Sequence, residues 1–235
     1  MSRNIHIIIV AAGSGSRFGS ALPKQFCELE GRPVLMHTVD AFRTALPEAS
    51  IAVVISPDMN DLWLQLCGKH GYVSPQIVFG GPTRWASVAN ALAEPSCPRG
   101  TNSIIMVHDG ARPLIDSATL RRICNGFDSD ANADGVLPAI ALSDSIRQID
   151  ADGRNCALDR SCLRAVQTPQ AFRADKLQDA YLQPYKPIFT DDASVMESAG
   201  YTNLHLVNGS PENIKITNPH DIAIASLIIR DRDCR

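Results

Sequence analysis

The chain has no C-x-x-C pair, and no second His or Cys stands at metal-ligand spacing from His108. A structural zinc site is therefore not expected. Seven cysteines are present (Cys27, Cys67, Cys97, Cys124, Cys156, Cys162 and Cys234), odd in number and scattered. That disfavours a disulfide framework and fits reduced thiols in a cytoplasmic protein. No stretch approaches the ~20 apolar residues of a membrane span, and the N-terminal run MSRNIHIIIVAAG is too short for a secretory leader. There is no basic excess: 22 Lys and Arg face 25 Asp and Glu, for a formal charge of −3. A general nucleic-acid binder is disfavoured, although local phosphate binding is not. Internal repeats, low-complexity segments and an interdomain linker are also lacking.

What is there suits one globular domain of 235 residues, 45% hydrophobic and 20% charged. Ile5–Val10 is a continuous apolar run, as in a strand buried on both faces. Leu35, Val39, Phe42 and Leu46 recur at helical spacing, and Pro47 closes that helix. Strands are expected at 51–55, 76–79, 103–107 and 135–139. Helices are expected between them, with Leu62, Leu66 and His70 on one stripe of the second. This alternation predicts an α/β, Rossmann-like, mostly parallel sheet with helices on both faces and right-handed crossovers. Ligands in such sheets bind beyond the carboxyl ends of the strands. The loops 11–24, 80–84 and 108–113 should converge there.

The alternation breaks between 140 and 172. Asp152-Gly153 is a hairpin signal. The segment is expected to project as a β-arm subdomain at about 140–172, within a single domain spanning 1–235. A lone hairpin is not stable in water, so a second subunit is its expected support. Further on, Thr190 is the expected N-cap of a helix to about Ser198. Leu204–Val207 should be a strand and 213–217 extended, with a last helix from about His220.

The organising stretch is VAAGSGSRFGSALPKQ, Val10 to Gln25. Gly13, Gly15 and Gly19 let backbone N–H groups approach a phosphate, and Arg17 and Lys24 can neutralise its charge. A strand-to-helix turn needing glycine for geometry alone is the alternative. The spacing is not a clean G-x-G-x-x-G, and no acid ends the second strand at Ile55-Ser56-Pro57. A dinucleotide site is therefore disfavoured. Absence of G-K-[ST] excludes a P-loop.

Asp109 follows an apolar strand and could hold one Mg²⁺ between triphosphate oxygens, or could simply cap a turn. Arg112 could pair with Asp109 or with phosphate. Arg84 and Ser87 begin a helix after Gly80-Gly81, where free N–H groups gather. Lys215 lies between Ile214 and Ile216, where burial without an anionic partner is costly. Thr190-Asp191-Asp192 is most simply a helix start.

These residues resemble a known family. AAGSGSRF…PKQF is similar to the nucleotidyltransferase signature of sugar-phosphate cytidylyltransferases. GGPTRWASV, VHDGARP, SDSI, LDR, QTPQAF, TDDAS and NIKIT follow in the order found in the 2-C-methyl-D-erythritol 4-phosphate cytidylyltransferase family. The resemblance covers about 7–225 and implies CMP transfer from CTP to that sugar phosphate, with Mg²⁺, in non-mevalonate isoprenoid synthesis. It implies roles as well. Ala11, Ala12, Gly13, Ser14 and Gly15 would contact CTP, with Gly81, Arg84 and Ser87 on the cytosine side. Asp109 and Gly110 would serve the metal and ribose. Arg17 and Lys24 would stabilise the α-phosphate, and Lys215 would position the reactants. Ser145 and Arg160 would reach the acceptor from the neighbouring subunit of a homodimer. Arg112, Thr168, Thr190 and Asp191 would complete the acceptor side. Gly110, where the family often has Ala, is expected to leave room for the ribose, and the chain's end near Arg235 suggests no fused synthase domain. A cytidylyltransferase for a pentitol phosphate such as ribitol 5-phosphate is the nearest rival. A non-catalytic nucleotide-binding module and a dehydrogenase are more distant ones.

Overall fold

The computed structural model describes residues 3–13 and 22–234. Ser14, Gly15, Arg17 and Gly19 of the glycine loop lie outside the described residues.

The first half of the chain runs β1 (Asn4–Val10), the two-residue strands β2 (Glu28–Leu29) and β3 (Arg32–Pro33), then α1 (Val34–Ala45) and β4 (Ser50–Ile55). It continues with α2 (Asn60–Lys69), β5 (Gln76–Phe79), α3 (Arg84–Ala93), β6 (Ser103–Asp109), α4 (Ser117–Ser129) and β7 (Gly135–Ala141). The second half holds β8 (Ile146–Ile149), β9 (Asn155–Leu158), β10 (Arg164–Val166) and β11 (Gln170–Arg173). It ends with α5 (Ala174–Ala180), α6 (Asp192–Ser198), β12 (Leu204–Asn208) and α7 (Pro219–Asp233).

The central sheet runs β10-β7-β11-β6-β1-β4-β5, with β12 paired to β7. β1 is parallel to β4 and β6, β4 to β5, and β12 to β7. Successive side chains of a strand face opposite ways, which is how continuous apolar runs feed two cores. Ile7, Ile9, Val53, Ile55, Ile104 and Met106 face α1, α2 and α4, where Phe42, Trp63 and Phe127 are fully buried. Ile8, Ala52, Val54, Ile105 and Val107 face α3, α5 and α6, meeting Val88, Leu177 and Met196. Each such large side chain contributes about 1.5–3 kcal/mol when fully buried. A smaller cluster joins α7 to the site side through Leu29, Val34, Ala111, Leu114, Ile216 and Ala225.

Three details differ from the expected pattern. The buried stripe of α2 is Trp63 and Cys67, with Leu62 and Leu66 at its margin. β11 runs antiparallel to both β6 and β7, because the chain turns back after its excursion instead of crossing over through a helix. That same return divides the segment expected to project. β10 and β11 belong to the central sheet, and only β8 and β9 form a separate two-stranded sheet, with Ile146 opposite Leu158. Gly153 takes a φ of +80° in its turn, the left-handed conformation that glycine adopts freely. β9 is exposed along its whole length, and Ile149 is 71% exposed.

Among the described residues, no helix is long and apolar enough to cross a membrane.

Candidate active site

The carboxyl ends of β1, β5 and β6 open onto a cavity of about 1030 Å³. β1 delivers Ala11, Ala12 and Gly13 to its lining. The Ala11 N–H donates to Val54 C=O at 2.7 Å, and the Gly110 N–H donates to Val10 C=O at 2.8 Å. These bonds extend the ladder past the last strand residue and fix the start of the loop. Lys24 enters from a short 3₁₀ turn over 24–26. The next residue, Gln25, is buried and donates from Nε2 to Ala11 C=O at 2.5 Å and Gly13 C=O at 3.0 Å. The two ends of the glycine loop are thereby tied together.

β5 ends at Gly80-Gly81. A Cβ on Gly80 would lie 2.4 Å from Ala12 Cβ and 2.9 Å from Ser87 Oγ, so the missing side chain is what lets these loops touch. α3 starts behind them, capped by Thr83 Oγ1, which accepts from the Ala86 N–H at 3.0 Å. The Ser87 hydroxyl donates to Thr83 C=O at 2.9 Å and accepts from the Gly81 N–H at 3.2 Å. Gly81, Arg84 and Ser87 all line the cavity.

β6 brings Asp109. Lys215 Nζ is 2.9 Å from its Oδ2 and Arg112 Nε 3.4 Å from the same atom, while Arg84 Nε is 3.7 Å from Oδ1. Burial alone would raise the Asp109 pKa, but Arg84, Lys215 and Arg112 outweigh it and hold the carboxyl well below the usual range. Asp109 is ionised wherever the protein is folded at ordinary pH. Lys215 is the more open partner, with 42% of its side chain exposed. Residues 213–217 belong to neither helix nor strand, and the Ile216 N–H donates to Ala111 C=O at 2.9 Å. Thr217 and Asn218, the cap of α7, complete this wall.

Behind Asp109 is a closed polar ring. Thr168 Oγ1 accepts the Asp109 N–H at 3.0 Å and lies 3.1 Å from His108 Nδ1. His108 Nε2 lies 3.0 Å from Arg112 C=O. A carbonyl can only accept, so Nε2 carries the proton and Nδ1 accepts from Thr168. Asn213 Nδ2 donates to Thr168 C=O at 2.9 Å, and Arg112 Nη1 donates to Asn213 C=O at 2.8 Å. Since Arg112 also meets Asp109, the ring sets the Lys215 segment in register with the carboxylate.

The structure thus brings Ala11, Ala12, Gly13, Lys24, Gly81, Arg84, Ser87, Asp109 and Lys215 to one cavity. Other expected site residues sit elsewhere. Gly110 is buried behind the site, where a Cβ would meet Ala11 Cβ at 2.9 Å and Leu35 Cδ1 at 3.3 Å. Its small size serves packing of β1 on β6, which corrects the expectation of room for a ribose. Arg112 and Thr168 face the polar ring, not the cavity lining. Thr190 is exposed, and the cap of α6 is Asp191, whose Oδ1 accepts from the Ser194 N–H at 2.9 Å. Asp191 Oδ2 also accepts from Gln170 Nε2 at 2.7 Å. Ser145 and Arg160 lie exposed at the base of the hairpin, where Arg160 Nη1 donates to Ser143 C=O.

Two important residues escaped the sequence reading. Asp192 is fully buried and binds Arg84 with both oxygens, at 2.9 and 2.7 Å, while Tyr181 Oη donates to it at 2.6 Å. Burial would lower the Arg84 pKa, but Asp192, Asp109 and Tyr181 hold it above its ordinary value. The available signal was an acid on the apolar stripe of α6, in step with Val195 and Met196. Gln25 carried no such signal.

Asp109 offers one hard oxygen, Oδ1, with no hydrogen bond among the described residues. No group of three or more His, Cys, Asp or Glu gathers as a metal cage among them. That donor set fits Mg²⁺, which commonly takes one or two carboxylates and completes its shell with phosphate oxygens and water.

The family model described as IspD, 2-C-methyl-D-erythritol 4-phosphate cytidylyltransferase, matches residues 5–231. The 2-C-methyl-D-erythritol 4-phosphate cytidylyltransferase of Bacteroides thetaiotaomicron is 40% identical over 224 residues, 95% of this chain and 98% of that protein. The enzyme of the same name from Porphyromonas gingivalis is 41% identical over 230 residues, 97% of this chain and 99% of that protein. The crystal structure of 4-diphosphocytidyl-2C-methyl-D-erythritol synthase from Anaerococcus prevotii is similar with a TM-score of 0.78. Its sequence identity is 27%, with 97% of this chain and 96% of that one covered.

Proposed function

The chain belongs to the 2-C-methyl-D-erythritol 4-phosphate cytidylyltransferase family, and we propose that the cavity floored by Asp109 and Lys215 is where it joins CMP to its acceptor. The reaction transfers CMP from CTP to 2-C-methyl-D-erythritol 4-phosphate and releases pyrophosphate, a step in isoprenoid precursor synthesis. The observation that carries the placement is the 2.9 Å ion pair of Lys215 with Asp109, in the cavity that also holds Lys24 and the start of the glycine loop.

An acceptor phosphate oxygen attacks the α-phosphorus, a new P–O bond forms, and the bond to pyrophosphate breaks. The attacking oxygen is already anionic near neutral pH, so no strong general base is required. The obstacle is bringing anion to anion and spreading the charge of the transition state. Fixed cations lining the cavity do this by positioning and electrostatics. Lys24 and Lys215 flank the reacting phosphate in this reading. Arg17 would join them, though it lies outside the described residues. The Ala11 N–H is taken up by Val54 C=O, so the backbone N–H groups of 12–13 are the ones that approach the triphosphate, and Gly81, Thr83 and Ser87 shape the nucleoside end.

Asp109 Oδ1 would hold Mg²⁺. When bound, Mg²⁺ would supply positive charge to offset that of the triphosphate. Lys215 and Arg112 occupy Oδ2 and keep the carboxylate ionised and oriented.

Arg160 and Ser145 have no described route to the cavity of their own chain. The exposed hairpin, with Ile149 and Leu158 uncovered, suits a homodimer in which it leans on a second copy. Arg160 then reaches the acceptor phosphate in the partner's cavity. Seven free cysteines accord with a reducing, cytoplasmic setting.

The test is pyrophosphate release from CTP and Mg²⁺ with each acceptor. Turnover is expected with 2-C-methyl-D-erythritol 4-phosphate. Turnover with ribitol 5-phosphate alone would replace this reading by the pentitol one.

A further inference from the structure

The two oxygens of Asp109 are treated unequally. Oδ2 receives Lys215 at 2.9 Å and Arg112 at 3.4 Å. Oδ1 faces only Arg84 Nε among the described residues, at 3.7 Å, beyond hydrogen-bonding range. A guanidinium so close to a carboxylate would ordinarily close on it. It is held back from its other side. Arg84 Nη1 and Nη2 donate to Asp192 Oδ1 and Oδ2 at 2.9 and 2.7 Å. That fork-on-fork contact fixes the plane of the guanidinium as well as its position.

Asp192 cannot move to relieve the arrangement. It has no exposed surface and is the first residue of α6, behind the Asp191 cap. Tyr181 Oη donates to Asp192 Oδ1 at 2.6 Å, and the Tyr181 ring stacks on Trp85 at 5.6 Å with 14° between planes. Trp85 follows Arg84 directly in α3, so the brace returns to the residue it holds. Arg84 cannot leave Asp192 to grip a phosphate without stranding a buried charge, which is strongly unfavourable.

We propose that Asp192, braced by Tyr181, is a positioning residue that holds Arg84 away from Asp109 and so keeps Asp109 Oδ1 open to the divalent cation that accompanies CTP. This rests on the reading of Asp109 as the metal-side carboxylate. Without the anchor, Arg84 crosses the remaining gap, becomes a direct partner of Oδ1 and competes with the metal. Asp192 touches neither substrate nor metal and acts through Arg84.

The readout is CTP affinity by calorimetry on the full-length protein, with and without Mg²⁺. The wild-type protein should bind CTP more tightly with Mg²⁺. Asp192→Asn should erase about 10–100-fold of that gain, leaving metal-free CTP affinity within about twofold. Tyr181→Phe, which keeps the charge pair and loses one hydrogen bond, should lose less in the same direction. The decisive variant is R84M/D192N: removing the competitor should restore the Mg²⁺-dependent gain, and it serves equally if D192N alone fails to fold. An undiminished gain in both D192N and Y181F would overturn the proposal. So would a double variant that loses the gain as fully as D192N. A wild-type protein that gains nothing from Mg²⁺ would remove the metal reading and this proposal together. Pyrophosphate release in that case would still leave CMP transfer standing.

Discussion

Lys215 Nζ lies 2.9 Å from Asp109 Oδ2, and the two come from segments that no local pattern connects. The contact joins the end of β6 to the stretch before α7, and it leaves the lysine partly open to the cavity. Removing the lysine should leave the carboxylate charged, since Arg84 and Arg112 remain beside it. Lys215→Ala is therefore expected to fold. Its turnover should fall by about 10²–10³-fold, the usual cost of losing one transition-state electrostatic contact. CTP affinity should fall much less. Comparing kcat with CTP affinity from calorimetry checks this, and equal losses in both would assign Lys215 a binding role alone.

Lys24 tests the other wall. Gln25 ties Ala11 to Gly13, so the loop start keeps its shape when the neighbouring side chain is cut back. Lys24→Ala is expected to lower turnover by about 10²-fold or more, with a far smaller change in CTP binding. Gln25→Ala should do the reverse. By freeing two carbonyls and loosening the loop, it should weaken CTP binding first and turnover through it.

Gly80 is a packing position that bears on the site. A methyl there would stand 2.4 Å from Ala12 Cβ, and Ala12 has no rotamer by which to swing away. Gly80→Ala is expected to cost about 1–3 kcal/mol of stability as overpacking. It should also displace Ala12 and weaken CTP binding. Urea unfolding and CTP titration on the same preparation separate the two effects. Unchanged values in both would show that the β5 loop yields more readily than its packing suggests.

How far the sequence could be read depended on the range of the cause. Ile5–Val10 and Ile51–Ile55 announced buried strands because both faces of each are covered, by α1, α2 and α4 on one side and α3, α5 and α6 on the other. Asp109 stood out because an acid ends an apolar run. The antiparallel β11 did not, because Gln170–Arg173 has no local feature that sets its direction. Asp192 was passed over for its neighbour: Asp191 and Asp192 are chemically alike, and only the phase of α6 sends one to cap the helix and the other inward to Arg84. Gly110 looked like a ligand-facing glycine, yet its open side meets Ala11 and Leu35. Which way a residue faces is decided by elements far away in the chain.

Arg160 separates the two substrates. It is exposed beside the hairpin, and its described partner is Ser143 C=O. In a dimer built through the hairpin, Arg160→Ala should raise the KM for the acceptor by about 10–100-fold, the worth of a charge-assisted hydrogen bond. CTP affinity should be unchanged. Activity should also fall on dilution as the dimer dissociates, which sedimentation at matching concentrations checks. A fully active monomer would contradict the shared site.

His108 makes the fold sensitive to acid. It is fully buried, with Thr168 and Arg112 on its two nitrogens and Phe42 edge-on at 4.9 Å. Burial pushes its pKa down from 6.5 to about 4. A depressed histidine binds fewer protons folded than unfolded. Stability is therefore complete above pH 6.5 and is lost as pH falls from there toward 4. Over that window the loss attributable to this residue is about 3 kcal/mol. His6 and His37 are also depressed by burial, so the wild-type slope alone does not isolate it. The comparison is with His108→Gln, which keeps a donor and an acceptor but takes up no proton. Urea midpoints measured at pH 7.5, 5.5 and 4.5 should show a shallower fall for the variant, even if it is less stable at pH 7.5. Parallel slopes would mean that Thr168 and Arg112 do not depend on a neutral ring at 108, and the polar ring behind Asp109 would then have to be anchored by Asn213.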